Sequence, residues 1–429
     1  MENMEKSHEY FEIAKQIIPG GAQNARRPSC FTKEYPIFTY RGNGAHIWDV
    51  DEHEYIDWML SFGPIILGHC NSAVDESVKK VMQDGFLFNM SAPLHLAFAK
   101  KLIEHVPCAE KVIVTISGSE AAAAAVRIAR IYTGKEIIVK WGYHGWLDWC
   151  VDNHAGITSG TYNYIKTFTY NDLYSLEKVL EKNKNNVACI IMMPFEVILP
   201  DPGFLEGVRE LANMYKIVLI FDEIRSWPRL GLGGAQEYYG VIPDITTISK
   251  GIANGYPISV VVGKSEIMDA AEKTVISATY FPSTLGMAAA LEVIRQLEDK
   301  KVLDHILMIA EKLGNGLKDI IESRNVNATI FGAPQMPFLM FGDREANIKS
   351  LNAQTMSNAA TSAGGEDIDS SENRKVEQLT ELFYSETIKR GIFFHPKHHW
   401  FSCLAHTEED VNKTLKASEE ALDIAIKNI

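Results

Sequence analysis

The sequence predicts an α/β fold, with a large, mostly parallel sheet and a smaller α+β lobe built from both chain ends. Three observations lead there. Between about residues 70 and 285, short apolar runs alternate with helical stretches, the pattern of a parallel sheet covered by helices on both faces. The two ends lack that alternation and read as short strands and long helices. With 429 residues, 46% hydrophobic and 23% charged, the chain can bury a large core and is neither disordered nor fibrous.

The elements follow in order. MENMEKSHEYFEIAK reads as an amphipathic helix, charged throughout and without the apolar core of a secretory signal. PGGAQNARRP is a loop by its glycines and prolines. FTYRGNGAHIWDVDEHEYIDWM alternates apolar and polar residues around polar turns, which predicts a short antiparallel meander. Strands of the large sheet are expected at Val112–Ile116, Ile137–Val139, Ala188–Met193, Ile217–Phe221, Ile245–Ile248 and Ser259–Val262. Helices such as Glu120–Tyr132 and Leu205–Tyr215 lie between them. Further on, long helices are expected over 287–322, 373–390 and 407–427, with strands near Ala328–Phe331, Pro337–Phe341 and Ile392–Phe394. The small, polar SNAATSAGGEDIDSSENRK reads as a surface loop. This divides the chain into an N-terminal segment (1–60), a large α/β domain (61–287) and a small α+β domain (288–429).

Composition narrows the function. No apolar run approaches the ~18–20 residues that span a bilayer, so no membrane partner is expected. The net charge of −13 speaks against nucleic acid, whose non-specific binding needs Lys and Arg to neutralise phosphates. Six scattered cysteines without CxxC spacing read as reduced core residues of a cytoplasmic protein.

Three segments carry chemistry. An apolar strand runs into Ser117-Gly118-Ser119 and an alanine-rich helix, which presents free N–H groups and hydroxyls to an anion. No GxxxxGK[ST] stands behind it, so a nucleotide P-loop is not expected. Ile217–Ile220 ends in Phe221-Asp222-Glu223, a carboxylate at the carboxyl end of a buried parallel strand, where ligands bind. Ser249-Lys250-Gly251 follows a third strand; a lysine in that position is poorly placed for solvation and well placed for a depressed pKa. A desolvated amine is what a Schiff base with an aldehyde needs. A phosphate cup, a carboxylate and such a lysine together suggest pyridoxal 5'-phosphate.

The order of these motifs resembles the class III aminotransferases among the fold type I pyridoxal-phosphate enzymes. The similarity extends over nearly the whole chain. It is strongest to the glutamate-1-semialdehyde 2,1-aminomutase branch, through IPGGAQNARRP, GAHIWDVDEHEYIDWMLSFGPIILGH, SGSEA, YHG, FDEI, GGAQEYYGVIPDITTISKG, ATYFPST and AHTEEDV. The resemblance implies a seven-stranded-type sheet in a large cofactor-binding domain, with the N-terminal segment forming part of the small lobe and an active-site cover. Lys250 matches the Schiff-base lysine, which also moves the substrate proton. Asp222 matches the aspartate that keeps the pyridine nitrogen protonated. Ser117, Gly118 and Ser119 match the phosphate loop, with Ile116 where relatives often carry a polar residue. In Tyr143-His144-Gly145, Tyr143 matches the aromatic stacked on the ring and His144 belongs to the same cofactor site. Thr279 matches a threonine that reaches the phosphate of the neighbouring subunit, which implies a homodimer with shared active sites.

On the substrate side, Arg27 matches an arginine that binds a carboxylate in the aminomutase, the bland alternative being a surface arginine. Phe62 stands at an aromatic wall or in the core. Trp400 occupies the place of an aminomutase glutamate, and His398 and His399 beside it would suit a polar acceptor. His395, His398 and His399 have no zinc-like spacing, so no metal is expected. Three departures stand out. Met193-Pro194 replaces Glu-Pro with Glu196 displaced, Gly145–Thr169 is shorter than the aminomutase lid region, and HPKHHWF lacks the α-carboxylate arginine of many class III transaminases. The function expected is a ping-pong aminotransferase passing an amino group from a small-molecule donor, glutamate by resemblance, to an aldehyde or ketone. The alternatives are the aminomutase itself and a cofactor-binding pseudo-enzyme.

Overall fold

The computed structural model describes residues 4–23, 37–353 and 371–429. Arg27 and residues 357–370 of the expected loop lie outside them. The chain divides into two units, one of Met1–Asn71 with Asp304–Ile429 and one of Ser72–Leu303.

In the first unit, helix Glu5–Ile17 precedes the meander of β1 (Thr39–Asn43), β2 (His46–Asp49) and β3 (Glu54–Asp57). Asp49 builds its second turn. Its buried carboxylate accepts from the Asp51 and His53 backbone N–H groups at 3.0 and 2.9 Å and from the Tyr55 hydroxyl at 2.7 Å.

The second unit holds the large sheet: β4 (Lys111–Thr115), β5 (Ile137–Trp141), β6 (Ile165–Thr167), β7 (Val187–Met192), β8 (Val218–Asp222), β9 (Ile245–Ile248) and β10 (Ser259–Gly263). The order is β4-β10-β9-β8-β7-β5-β6. Only β10 runs antiparallel to its neighbours. Every residue of β7 to β10 is buried, which is why these strands read as unbroken apolar runs. The edge strand β6 was not expected; three residues, Ile-Lys-Thr, are too short and polar to stand out. Helix Gly118–Thr133 buries Ala121, Ala122, Ala124, Ala125 and Ala129, whose small side chains allow close packing of its backbone.

The chain then completes the first unit with β11 (Ala328–Phe331), β12 (Phe338–Phe341) and β13 (Ile392–Phe393). β11 and β12 pair antiparallel, and β13 joins β3 in parallel. The single helix expected over 287–322 is two, Thr284–Leu297 and Lys300–Ser323. Asp299 between them accepts the Lys301 N–H at 3.1 Å, the side-chain competition with helical bonding that makes Asp a start signal. Helix Ser371–Lys389 also begins inside the segment read as loop. The core of this unit gathers Trp58, Leu313, Leu317, Phe341, Phe383, Phe394, Trp400 and Leu422.

Candidate active site

β4, β5, β7, β8 and β9 run in the same direction, so their carboxyl ends lie along one edge of the sheet. The residues just beyond those ends line a cavity of about 170 Å3, among them Gly118, Ser119, Tyr143, His144, Asp222 and Lys250. Six of the residues singled out in the sequence thus meet in one crevice, where α/β sheets bind ligands.

Lys250 follows β9 with φ +47°, a left-handed conformation that is uncommon for a residue with a Cβ and recurs at functional sites. Its pKa is lowered from 10.5 to about 7, chiefly by burial and then by the positive charge of Arg225, against the pull of Asp222 and Glu196. Near neutral pH a substantial fraction is therefore free amine, the nucleophilic form.

Asp222 ends β8 and is buried, as is His144. His144 Nδ1 lies 2.7 Å from Asp222 Oδ2, and Nε2 lies 3.0 Å from the Trp141 carbonyl. A carbonyl only accepts, so Nε2 carries a hydrogen. The other Asp222 oxygen accepts from the Ile224 N–H at 3.2 Å and the Thr247 hydroxyl at 3.3 Å.

The anion end of the cavity is the start of helix Gly118–Thr133. Ser117 caps it, its N–H donating to Glu120 Oε2 at 2.8 Å and its hydroxyl to the same oxygen at 3.0 Å. The Ser117 side chain is therefore held in the cap, while Gly118 and Ser119 line the cavity. The close walls depend on missing side chains. A Cβ at Gly118 would lie 2.7 Å from Ile224 Cδ1, and one at Gly145, whose φ is +107°, would run into the Ser119 hydroxyl. A poorly protonated lysine, a buried carboxylate in contact with histidine and a helix N-terminus suit the aldehyde, ring nitrogen and phosphate of pyridoxal phosphate. The donor set fits that cofactor.

One residue of the wall, Arg225, had not been assigned from the sequence. Arg225 lines the cavity, and its Nη1 donates to Glu196 Oε1 at 2.9 Å, both side chains being about 95% buried. The available signal was two charged residues in apolar segments, MPFEV and DEIRSW. Met193, standing for the family glutamate, also lines the cavity.

Thr279 is exposed, between Val275 and Tyr280, and is not among the residues lining this cavity. Phe62 lines a separate cavity of about 420 Å3 in the first unit, its ring 5.0 Å from that of His398 and 5.8 Å from that of His395. Trp400 has no exposed surface, stacks on Phe394 at 4.0 Å and sits in the core of its unit, the place of a packing residue. His398 and His399 are buried beside it, His399 donating from Nδ1 to the Met336 carbonyl at 2.8 Å. Burial lowers the pKa of His395 to about 3, so that ring is neutral at ordinary pH.

Comparison with known proteins agrees with the geometry. The sequence profile of the family "Aminotransferase class-III" matches residues 31–361. A 3-aminobutyryl-CoA aminotransferase of Cloacimonas acidaminovorans (strain Evry) is 40% identical over 426 residues, covering 97% of this chain and 96% of that protein. A glutamate-1-semialdehyde 2,1-aminomutase of Methanocaldococcus jannaschii is 31% identical, with 98% of each chain covered. The solved PLP internal aldimine form of the Sphingopyxis sp. MTA144 FumI protein superposes with a TM-score of 0.88 at 25% identity, over 98% of this chain and 97% of that one. With this cavity, this fold and these relatives, the chain belongs to the class III aminotransferases and is a pyridoxal-phosphate-dependent transaminase of fold type I.

Proposed function

We propose that this transaminase moves an amino group between two separate molecules, with glutamate as the donor and a carbonyl compound as the acceptor. The cavity shared by Lys250 and the Asp222–His144 pair supports the cofactor chemistry, and the 40% identity to a protein named as an aminotransferase supports transfer between molecules. When bound, pyridoxal phosphate supplies an electron sink that weakens the C–H bond beside the amine. Lys250 would hold the cofactor's aldehyde carbon as a Schiff base and, once released as an amine, take and return the substrate proton. Asp222, positioned by His144, would hold the proton on the ring nitrogen. Gly118 and Ser119 would bind the phosphate at the helix N-terminus, and Tyr143 would cover the ring.

The relative at 40% identity is named for 3-aminobutyryl-CoA, and we assign a β-amino acyl thioester, or its β-keto counterpart, as the substrate class. In one direction the β-amine becomes a ketone while 2-oxoglutarate becomes glutamate. The test is purified enzyme with 3-aminobutyryl-CoA and 2-oxoglutarate, followed by mass spectrometry. Formation of 3-oxobutyryl-CoA and glutamate in equal amounts, with ping-pong kinetics, is expected. Absence of both products across a panel of β-amino thioesters and β-amino acids would remove this substrate class. The aminomutase is the second reading, favoured by the relative at 31% identity.

A homodimer belongs to the same proposal. Val275 and Tyr280, near Thr279, are strongly exposed, as is Met90, and Phe86, Leu87 and Phe88 are partly exposed. The Thr284 N–H donates to the Phe86 carbonyl at 2.9 Å, tying the two segments together. Exposed apolar surface of this kind marks an interaction face; a second copy would cover it, and Thr279 would serve the partner's phosphate site. A cytoplasmic location suits the free thiols of Cys70, Cys108, Cys150, Cys189 and Cys403.

A further inference from the structure

We infer that Arg225 is an oxygen-binding residue of this cavity, its guanidinium clamped on one side by Glu196 and directed toward an anionic or strongly polarised oxygen of the bound molecules. The inference rests on Lys250 being the cofactor lysine.

Arg225 stands three residues after Asp222, on the wall that also carries Lys250. A guanidinium offers five N–H donors in a fixed fork. Among the described residues, the hydrogen bond given to this one runs from Nη1 to Glu196, and Nε is shielded from solvent without a partner. A buried donor left unpaired is costly, more so on a charged group. Nε is enclosed and Nη1 is engaged, so an acceptor oxygen entering the cavity would meet the remaining edge of the fork and offset the buried positive charge, whereas an apolar or cationic ligand would not.

Glu196 makes the arrangement possible. It is itself buried, and its carboxylate compensates the guanidinium charge and holds one edge of the fork by an ion pair at 2.9 Å. Removing either partner would leave an uncompensated buried charge. Charge also decides the class of ligand. Arg225 and Arg229 both act on Lys250 as positive charges, opposed by Asp222 and Glu196. A ligand oxygen carrying negative charge or a strong carbonyl dipole is therefore favoured beside Arg225. Two sources offer that chemistry: the phenolic oxygen of the cofactor, and the carbonyl or carboxylate oxygen of the substrate.

The experiment uses the holoenzyme and the variants Arg225→Gln and Arg225→Lys. Borohydride reduction first establishes that Lys250 carries the cofactor in each; labelling elsewhere would sink the underlying assignment and not the one made for Arg225. Two quantities are then measured: the pKa of the visible band of the lysine-bound cofactor, and the Kd of butyrate and of butyryl-CoA, substrate-like probes without an amine, from perturbation of that band. If Arg225 serves the cofactor oxygen, Arg225→Gln moves the pKa upward by about one unit, the size of one lost charge contact, and changes the two Kd values less than about twofold. If it serves the substrate oxygen, Kd for at least one probe rises about tenfold or more, as for a lost charged hydrogen bond. Arg225→Lys preserves the charge and the ion pair, guards against misfolding, and should show the same change at smaller size. Folded variants with pKa and both Kd values like those of the wild type would overturn the inference.

Discussion

His144 Nδ1 and Asp222 Oδ2 lie 2.7 Å apart, both side chains buried, with His144 Nε2 committed to the Trp141 carbonyl. The histidine is therefore held in orientation by contacts at both ring nitrogens, and the carboxylate keeps one oxygen against it. Low local dielectric strengthens such a contact. Asp222→Asn keeps the shape and removes the charge. Turnover should fall ~10²–10³-fold, the usual cost of losing an electrostatic stabiliser, while the melting temperature stays close to wild type. His144→Asn should cost less, because the carboxylate survives. Near-wild-type turnover in Asp222→Asn would show that this carboxylate does not hold the proton.

Lys250 yields a prediction about pH. Its pKa is lowered to about 7, so covalent capture of pyridoxal phosphate by the apo-protein should accelerate up to about pH 7 and then level off. An ordinary lysine would still gain about tenfold per unit up to pH 9, since the free amine is the nucleophile. Stability follows the same linkage. Between pH 7 and 10.5 the unfolded chain binds more protons at this lysine than the folded one, so its contribution makes the apo-protein more stable as pH rises through that window. Stopped-flow absorbance across pH measures the first effect. A rate still climbing steadily above pH 9 would contradict the lowered pKa, and Lys250→Ala should capture nothing covalently.

How far the sequence foretold this site depends on where each residue lies. Asp222 and Lys250 follow buried strands whose apolar runs are unmistakable, so strand end and function could be read together. Gly118 and Ser119 were legible for the same reason. Arg225 and its pairing with Glu196 were not, because a charge in an apolar segment announces burial but not its partner, and these two are 29 residues apart in sequence. The break at Asp299 was hidden by continuous helical periodicity on both sides. The enclosure of Trp400 was not legible either, because resemblance to a family position says nothing about which way a side chain faces. In its own unit that side chain points into the core, against Phe394.

Trp400 can be tested directly. Trp400→Ala should destabilise the protein by roughly 3–5 kcal/mol, as for other large-to-small changes in a packed core. Trp400→Phe should cost less, since the stack on Phe394 is partly kept. In whatever fraction remains folded, KM for the amino substrate should stay within about twofold of wild type, because no ground-state contact with substrate is lost. Denaturant titration and steady-state kinetics together decide it. A large rise in KM with unchanged stability would return Trp400 to the substrate site.

The last prediction separates transfer between molecules from transfer within one. An aminomutase must keep its diamino intermediate bound through both half-reactions, which calls for a lid that closes over the site. Gly145–Thr169 is short beside the aminomutase lid region. Between β5 and β6 it holds turns and one brief helical turn, Thr161–Tyr164. The position that resembles the aminomutase glutamate is Trp400, enclosed in a core and unable to hold either end of a substrate. A site of this kind should release its carbonyl product after the first half-reaction, as a ping-pong transaminase does. Arg27 is the one matched residue that would suit the semialdehyde's carboxylate, so the experiment has to be done on the full chain. Purified enzyme incubated with glutamate 1-semialdehyde and no second substrate should form little 5-aminolevulinate, and Arg27→Ala should not change that result. Efficient conversion at a rate insensitive to added amino donors and acceptors would establish the aminomutase instead.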